Sequence, residues 1–290
     1  MTNPSEAQMV SPKLKHTTRT DLTPSYNDFG FKLFARLAQQ DVNQNIFLSP
    51  FSIAVALTMT YNGAAHETQR AMAAALGLDQ LRLAEVNRAL ADLLQSLENP
   101  DPQVQLAVAN SLWVKLGMAF KSDFIERNRN FYKAEVRSIN FTASDAAPTI
   151  NAWIKTQTRD KIERVIQPSD LNALTSLILI NAIYFKGLWR DPFDPTLTHD
   201  QPFHLLDGTT QPRPFMYQTG EFLYTEDKTL QAVSLPYGAG RISLIVLLPR
   251  PELSFADFQA QLTERNWRQW LPRLKTREGA VFLPRFKVQY

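Results

Sequence analysis

The side chains that most often carry catalysis or bind metals are few in this sequence and widely separated. The 290 residues contain no cysteine and four histidines, so disulfides, thiol nucleophiles and thiolate metal sites are excluded. The histidines are His16, His66, His199 and His204, and none has the spacing of an HExxH zinc motif. A GxSxG nucleophile elbow, a P-loop and a GxGxxG pattern are also absent from the sequence. We therefore expect no enzymatic activity, no metal and no cofactor.

The basic residues, which could bind nucleic acid, show no concentrated pattern. Lysine and arginine number 31 against 28 aspartate and glutamate residues, a net charge of +3, and this excess is too small to predict nucleic-acid binding. Two basic clusters on predicted helices are interpreted as solvated faces: Arg127, Arg129 and Lys133, and Lys155, Arg159, Lys161 and Arg164. No apolar run approaches the roughly 20 residues of a membrane span, so no membrane contact is expected.

One amide interrupts a strongly apolar stretch. Asn181 lies inside SLILINAIYFKGLW, residues 176–189, and a buried amide without a hydrogen bond costs about 1–3 kcal/mol. Two interpretations stay open: a satisfied core asparagine, or part of a polar network that pins two strands where a sheet has to open. Trp189, the last residue of this stretch and just past its apolar part at 177–185, is likewise either simple core or a plug at the end of the sheet.

The elements that position these residues are predicted from hydrophobic periodicity, and their order indicates an α+β fold. Helices are expected over 25–98, where Ser49 caps a helix with Pro50 in its first turn, and a clear amphipathic helix covers 82–97. A long two-faced strand follows at 104–116, then helices at 122–133 and 148–166, a buried strand at 177–185, and mostly strands from 190 to 250. These include a buried strand at 242–248, with turns at Asp207-Gly208 and at Gly238 and Gly240.

Three further expectations concern individual faces and the two ends of the chain. The helix that starts at Pro50 is predicted to bury one face made of Ile53, Leu57, Tyr61 and Ala64. Two short helices near 254–262 and 264–274 should precede a final half-buried strand that runs from Phe286 to Tyr290. Residues 1–24 are predicted to be a polar tail.

Three segments of the sequence resemble the serpins, the serine protease inhibitors. They are NIFLSPFSIAVALTMTYNGAAHETQRAMAAAL (45–76), SLILINAIYFKGLW (176–189) and SLPYGAGRISLIVLLP (234–249). The resemblance runs from about Tyr26 to Tyr290 and implies the serpin fold, in which helices pack around three β-sheets. It places one serpin domain over 25–290 that is incomplete at its C-terminus.

The resemblance implies inhibition by a suicide-substrate mechanism. Serpins hold a five-stranded sheet A in a metastable state with an exposed reactive loop; a protease cleaves that loop, which then inserts into sheet A as an extra strand. Matched residue by residue, Ser49 and Ser52 are hydroxyls beneath this sheet with Asn181 as their partner, a site called the shutter. Trp189 matches the breach, where insertion begins. The strand at 104–116 would be strand two of sheet A, and the helix at 148–166 would lie across the sheet.

This sequence departs from the serpin pattern in two places. The helix at 82–97, which binds heparin in some serpins, carries Arg82 and Arg88 against Glu85 and Asp92, so no heparin binding is expected, and retention on a heparin column at physiological salt would contradict this. No stretch of the 290 residues matches the alanine-rich hinge that precedes the reactive loop. We therefore expect a chain truncated before the hinge, with no reactive bond and no inhibitory activity as it stands.

Two function classes and two compartments stay open. The first function is inhibition of a serine or cysteine protease, which would be recognised through the loop that these residues lack. The alternative is a non-inhibitory serpin-like binding or carrier protein. The resemblance favours an extracellular location, but the first twenty residues show no signal-peptide pattern, which leaves an intracellular location open.

Overall fold

The structure is a computed structural model that describes residues 20–40, 44–98 and 101–288. The helices are α1 (Thr23–Gln40), α2 (Pro50–Tyr61), α3 (His66–Leu76), α4 (Leu83–Leu97), α5 (Ser122–Tyr132), α6 (Ala146–Gln157), α7 (Phe255–Ala260) and α8 (Glu264–Trp270). The strands are β1 (Val104–Lys115), β2 (Glu135–Ile139), β3 (Leu177–Gly187), β4 (His199–His204), β5 (Thr210–Glu226), β6 (Leu230–Tyr237), β7 (Ile242–Pro249) and β8 (Lys275–Pro284). Within these ranges, every helix is too short or too polar to span a membrane.

Three strands form the first sheet, in the order β2-β1-β3. β1 lies antiparallel to β3 along residues 104–114 and parallel to β2 along residues 111–115. The predicted two-faced strand at 104–116 is confirmed, because alternate residues of β1 pack on opposite sides. Leu112 faces the core formed by α1 to α5, whereas Trp113 faces a second core that is covered by α6.

The second sheet contains the remaining five strands, in the order β4-β5-β6-β7, with β8 also paired to β5. The resemblance implies three sheets, but the strands in the described ranges form two, because the 17-residue β5 continues from its pairing with β4 into its pairing with β6. The predicted turns at Asp207-Gly208 and at Gly238 and Gly240 are confirmed. The strand predicted at 242–248 forms β7, yet its residues are mostly half-buried and Leu248 is 58% exposed.

Helix α2 begins as predicted and buries the predicted face only in part. Ser49 is its N-cap and accepts a hydrogen bond from the Ser52 backbone N–H, with Pro50 at the first helical position. The buried side chains include Tyr61 of the predicted face together with Ala54, Val55 and Met59, whereas Ile53 of that face is 38% exposed. The prediction was wrong for Ile53 because α2 is apolar nearly all round, so periodicity could not indicate which side meets the neighbouring elements.

Helix α6 is shorter than the predicted helix at 148–166. It ends at Gln157, and the next turn places Arg159 and Asp160 at positive φ values of 50° and 60°. The amide of Asn151 then fixes the returning chain, since its oxygen accepts from the backbone N–H of Val165 and of Ile166 at 2.9 and 3.0 Å. Side-chain hydrogen bonds therefore replace the helical ladder over residues that have a helical pattern.

The two ends of the chain differ from the predicted boundaries. The last strand, β8, ends at Pro284, and residues 285–288 form no strand, with Phe286 69% exposed. The prediction of a strand from Phe286 was therefore wrong for residues 286–288, and Tyr290 lies outside the described residues. At the other end, Leu22 is buried and α1 begins at Thr23, while residues 1–19 lie outside the described ranges. The division into a tail over 1–24 and a domain over 25–290 stays a prediction.

Candidate functional site

A series of hydrogen bonds through four asparagine side chains and one tyrosine connects β3 with the helices beneath the first sheet. The Asn181 Nδ2 donates to Asn110 Oδ1 at 2.7 Å, and the Asn110 Nδ2 donates to the backbone carbonyl of Tyr132 at 2.9 Å. The Tyr132 hydroxyl donates to Asn87 Oδ1 at 2.6 Å, and the Asn87 Nδ2 donates to Asn62 Oδ1 at 2.8 Å. We call these five residues the amide chain.

The strand register brings the first two members together. Asn110 of β1 stands directly opposite Asn181 of β3 in the antiparallel ladder, so their side chains emerge on the same face at the distance of a cross-strand pair. Asn110, Asn87 and Asn62 are each at most 5% exposed, and buried amides without partners would be costly. The amide chain therefore pins β3 to β1 and pins β1 to α4 and α5.

One atom of the amide chain has no partner. The Asn181 Oδ1 is buried from solvent and accepts no hydrogen bond from the part of the chain that the structure describes. Sequence reasoning identified Asn181 correctly as a polar group in an apolar strand, but its partner in the structure is Asn110, not Ser49 or Ser52. Ser49 is exposed and serves as the cap of α2, and its hydroxyl accepts from the Ser52 N–H at 3.3 Å. The assignment of these three residues to a shutter stays a prediction.

Trp189 sits at the end of β3 in an aromatic cluster. Its ring stacks on Tyr237 with centroids 4.3 Å apart at 14°, and Phe193 meets it edge-on at 5.9 Å. A short β-bridge joins Trp189 to Tyr237. Gly187 makes room for this stack, since a Cβ there would lie 2.7 Å from the Tyr237 ring. Trp189 therefore ties the end of the first sheet to the β6–β7 hairpin, while its role as the breach stays a prediction.

A buried carboxylate that the sequence reasoning missed lies beside this cluster. Asp101 is 7% exposed, and its Oδ1 accepts from the Gln103 N–H at 2.8 Å. Its Oδ2 accepts from the backbone N–H of Ala239, in the β6–β7 turn. An aspartate two residues before a donor N–H is a common turn pattern, so the sequence signals the local bond, but nothing in it indicates the contact with residue 239.

Two tyrosines in the core beneath the sheet are held in their neutral form. The Tyr26 hydroxyl shares a 2.8 Å hydrogen bond with Thr58 Oγ1, and burial raises the pKa of Tyr26 to about 12. Burial also raises the pKa of Tyr132, which carries the central hydroxyl of the amide chain. A phenolate in this core would lose its hydration without gaining a cation.

In an alkaline titration, these two tyrosines should therefore ionise at a higher pH in the folded protein than in the unfolded chain. Because each pKa is raised by folding, the stabilisation is fully present below pH 10.0 and is lost for Tyr26 as the pH rises toward about 12. In the folded protein, the ultraviolet absorbance of phenolate should show that part of the tyrosine ionisation occurs only at high pH. In urea, a single transition at lower pH is expected. In Tyr26→Phe, the absorbance change of the high-pH transition should fall by the contribution of one tyrosine. An unchanged absorbance change would contradict the assignment of Tyr26 to this transition.

Comparison with known proteins identifies the group to which this architecture belongs. A family model described as "Serpin (serine protease inhibitor)" matches residues 24–290. Serpin B9 of Homo sapiens is 34% identical over 274 residues, which cover 92% of this chain and 72% of that protein. Antithrombin-III of Mus musculus is 31% identical over 277 residues, covering 93% of this chain and 60% of that protein.

Solved structures show the same likeness in three dimensions. Ovalbumin from emu (Dromaius novaehollandiae) superposes with a TM-score of 0.88 at 26% identity, over 93% of this chain and 74% of that one. Human thyroxine-binding globulin with a cleaved reactive loop gives a TM-score of 0.84 at 28% identity, over 91% of this chain and 79% of that one. The α+β arrangement of helices and sheets is therefore shared with these proteins.

Proposed function

The chain belongs to the serpin family, which is described as serine protease inhibitors and not as enzymes, and from this premise we propose that it forms the structural scaffold of a serine-type endopeptidase inhibitor. In this mechanism a protease cleaves an exposed loop, and the cleaved loop inserts as an added strand into the first sheet beside β3. The target, a serine or cysteine protease, is recognised through that loop. The hinge before the loop has no match among these 290 residues.

The observation that carries this proposal is the free edge of β3. Within the described ranges β3 pairs only with β1, although its sequence LILINAIYF is apolar on both faces. Such a strand is typical of the middle of a covered sheet and not of an edge. An added strand would supply the missing ladder of hydrogen bonds along 11 residues.

The site residues take defined roles in the proposal. Asn181 lies in the middle of β3, and its unpaired Oδ1 is an acceptor that a donor from an arriving strand could satisfy. Ser49 and Ser52 at the start of α2 complete the proposed shutter, where strands part. Trp189, stacked on Tyr237 at the end of β3, forms the proposed breach, where insertion begins.

Strand acceptance by β3 can be tested directly with a synthetic peptide. We expect an acetylated peptide of alternating threonine and alanine, long enough to span β3, to slow hydrogen exchange of the backbone amides of 177–187. Saturating peptide should raise the melting temperature by roughly 5 °C, since a ligand at a hundred times its Kd stabilises by about 2.7 kcal/mol.

The controls separate insertion at β3 from adhesion to any strand edge. A peptide of the same length with proline at alternate positions cannot form the ladder and should have no effect. The amides of 242–249 in β7, the last strand in the order of the second sheet, should show no added protection. Protection of the β7 amides alone from hydrogen exchange, or of the amides of neither strand, would contradict the proposed function.

A binding or carrier role is the second candidate function. It is favoured by the likeness to thyroxine-binding globulin, a protein named for the small molecule that it binds. A groove of about 700 Å³ between β8 and the β6–β7 hairpin offers space for a ligand. Failure of the peptide to protect β3 would favour this alternative. In both cases we propose no heparin binding through α4, because Arg82 is engaged by Glu85 at 2.6 Å.

A further inference from the structure

We propose that Asp101 is a positioning residue that fixes the Trp189 end of β3 against the β6–β7 turn, and that it thereby sets the rate at which a strand can insert beside β3. This inference rests on the proposed function, because insertion beside β3 is the step that it regulates. Its basis is that one buried carboxylate joins the start of β1 to the turn between β6 and β7.

The carboxylate bonds to both segments at once. Asp101 lies just before β1, where its Oδ1 accepts from the Gln103 N–H and its backbone oxygen accepts from the Val104 N–H at 3.0 Å. Its Oδ2 accepts from the Ala239 N–H, 138 residues further along the chain. Hydrogen bonds to an ionised acceptor are stronger than neutral ones, so this link is well suited to fix a turn.

The turn is shaped around this carboxylate. Gly238 has a φ of 50°, and a Cβ at that position would lie 2.5 Å from Asp101 Oδ1. The close approach and the positive φ both require glycine. Asp101 and Gly238 therefore form one fitted contact, in which the carboxylate occupies the space that a side chain would need.

The same turn holds the end of β3. The Gly238 N–H donates to the Leu188 carbonyl at 2.9 Å, and the Arg190 N–H donates to the Pro236 carbonyl at 2.9 Å. Tyr237, next to Gly238, provides the face on which Trp189 stacks. Movement of the turn would therefore release both the backbone bonds and the aromatic stack at the proposed breach.

The decisive variant is Asp101→Asn, which keeps the size of the side chain but removes its charge. The asparagine oxygen can still accept from Gln103, while its NH₂ group would then face the Ala239 N–H, another donor. We expect backbone amides in 237–241 and 188–190 to exchange about tenfold faster. The alternating threonine–alanine peptide should protect β3 about tenfold faster than in the wild type.

Asp207→Asn is the matched control. Asp207 also accepts from a backbone N–H two residues ahead, that of Thr209 at 2.8 Å, but in the exposed β4–β5 turn. Its substitution should change exchange only near 205–210 and leave the rate of peptide insertion unchanged. If Asp101→Asn fails to melt cooperatively, Asp101→Ser serves instead, since a serine hydroxyl can keep the local turn but is too short to reach Ala239.

The outcomes distinguish this inference from the function on which it rests. Unchanged exchange in 237–241 would show that Asp101 does not hold the turn. Faster exchange without faster peptide insertion would show that Asp101 has a structural role only. Either result overturns this inference and leaves the proposed function unaffected. A wild-type protein that takes up no peptide overturns the proposed function and, with it, the regulatory role of Asp101.

Discussion

Replacing Asn110 with alanine is expected to lower the free energy of unfolding by about 4 kcal/mol. Asn110 is the link between the two sheet strands and helix α5 in the amide chain, since it accepts from Asn181 and donates to the Tyr132 carbonyl. Its loss would leave that buried carbonyl and the Asn181 NH₂ group without partners, while Asn181 Oδ1 already has none. Each buried polar group left unpaired costs about 1–3 kcal/mol.

Urea denaturation of Asn110→Ala beside Asn140→Ala measures this effect. Asn140 is also an asparagine bonded to neighbouring polar groups, but it is exposed, and its side-chain oxygen accepts from Thr142 within its own turn. Its substitution should cost under about 1 kcal/mol. Asn110→Asp should cost at least as much as Asn110→Ala, because its buried carboxylate can accept from Asn181 but turns a second acceptor toward the Tyr132 carbonyl. Equal costs for the two alanine variants would show that the amide chain does not contribute to stability.

Replacing Gly238 with alanine is expected to destabilise the protein by about 4 kcal/mol, from two separate causes. An alanine at a φ of 50° is strained by roughly 1 kcal/mol. Its Cβ would also lie within 2.7 Å of three side-chain atoms of Asp101, so either the turn or the carboxylate must move. The hydrogen bond to Ala239 would be lost with that movement.

Gly208→Ala is the control that isolates the first cause. Gly208 has a φ of 82° in the β4–β5 turn, and a Cβ there would meet no atom within 4 Å. The difference in unfolding free energy between the two variants therefore measures the contact with Asp101. In Asp101→Ala with Gly238→Ala, the two costs should be clearly less than additive, because the clash is removed. If Gly238→Ala lowers the free energy of unfolding no more than Gly208→Ala does, the contact between Asp101 and Gly238 does not contribute to stability.

The sequence predicted best the elements that bury one face only. α4 and β1 were predicted within one residue of their observed ends, since their apolar residues recur at helical and alternating spacing respectively. α2 and the segment after Gln157 were predicted less well, because an all-apolar helix has no distinguishable face and because Asn151 ends α6 through bonds to residues 14 and 15 positions away.

The candidate site divides in the same way. Asn181 and Trp189 were identified because a polar residue in an apolar run, and a tryptophan at its end, are visible in a single segment. Their partners, Asn110 and Tyr237, are 71 and 48 positions away and became visible only with the strand register. Ser49 was correctly predicted as a helix cap, but local chemistry could not show whether it reaches Asn181.

By itself, the sequence determined the family, the α+β order of elements, the absence of thiol chemistry and the presence of an amide in an apolar strand, because each is a property of composition or of short-range pattern. Only the tertiary structure decided that Asn181 pairs with Asn110, that β3 has a free edge within the described residues, and that Asp101 accepts a hydrogen bond from the turn that contains Gly238. Register and sheet order bring distant segments together, and the hydrogen-bonding needs of one residue do not specify which distant group will satisfy them.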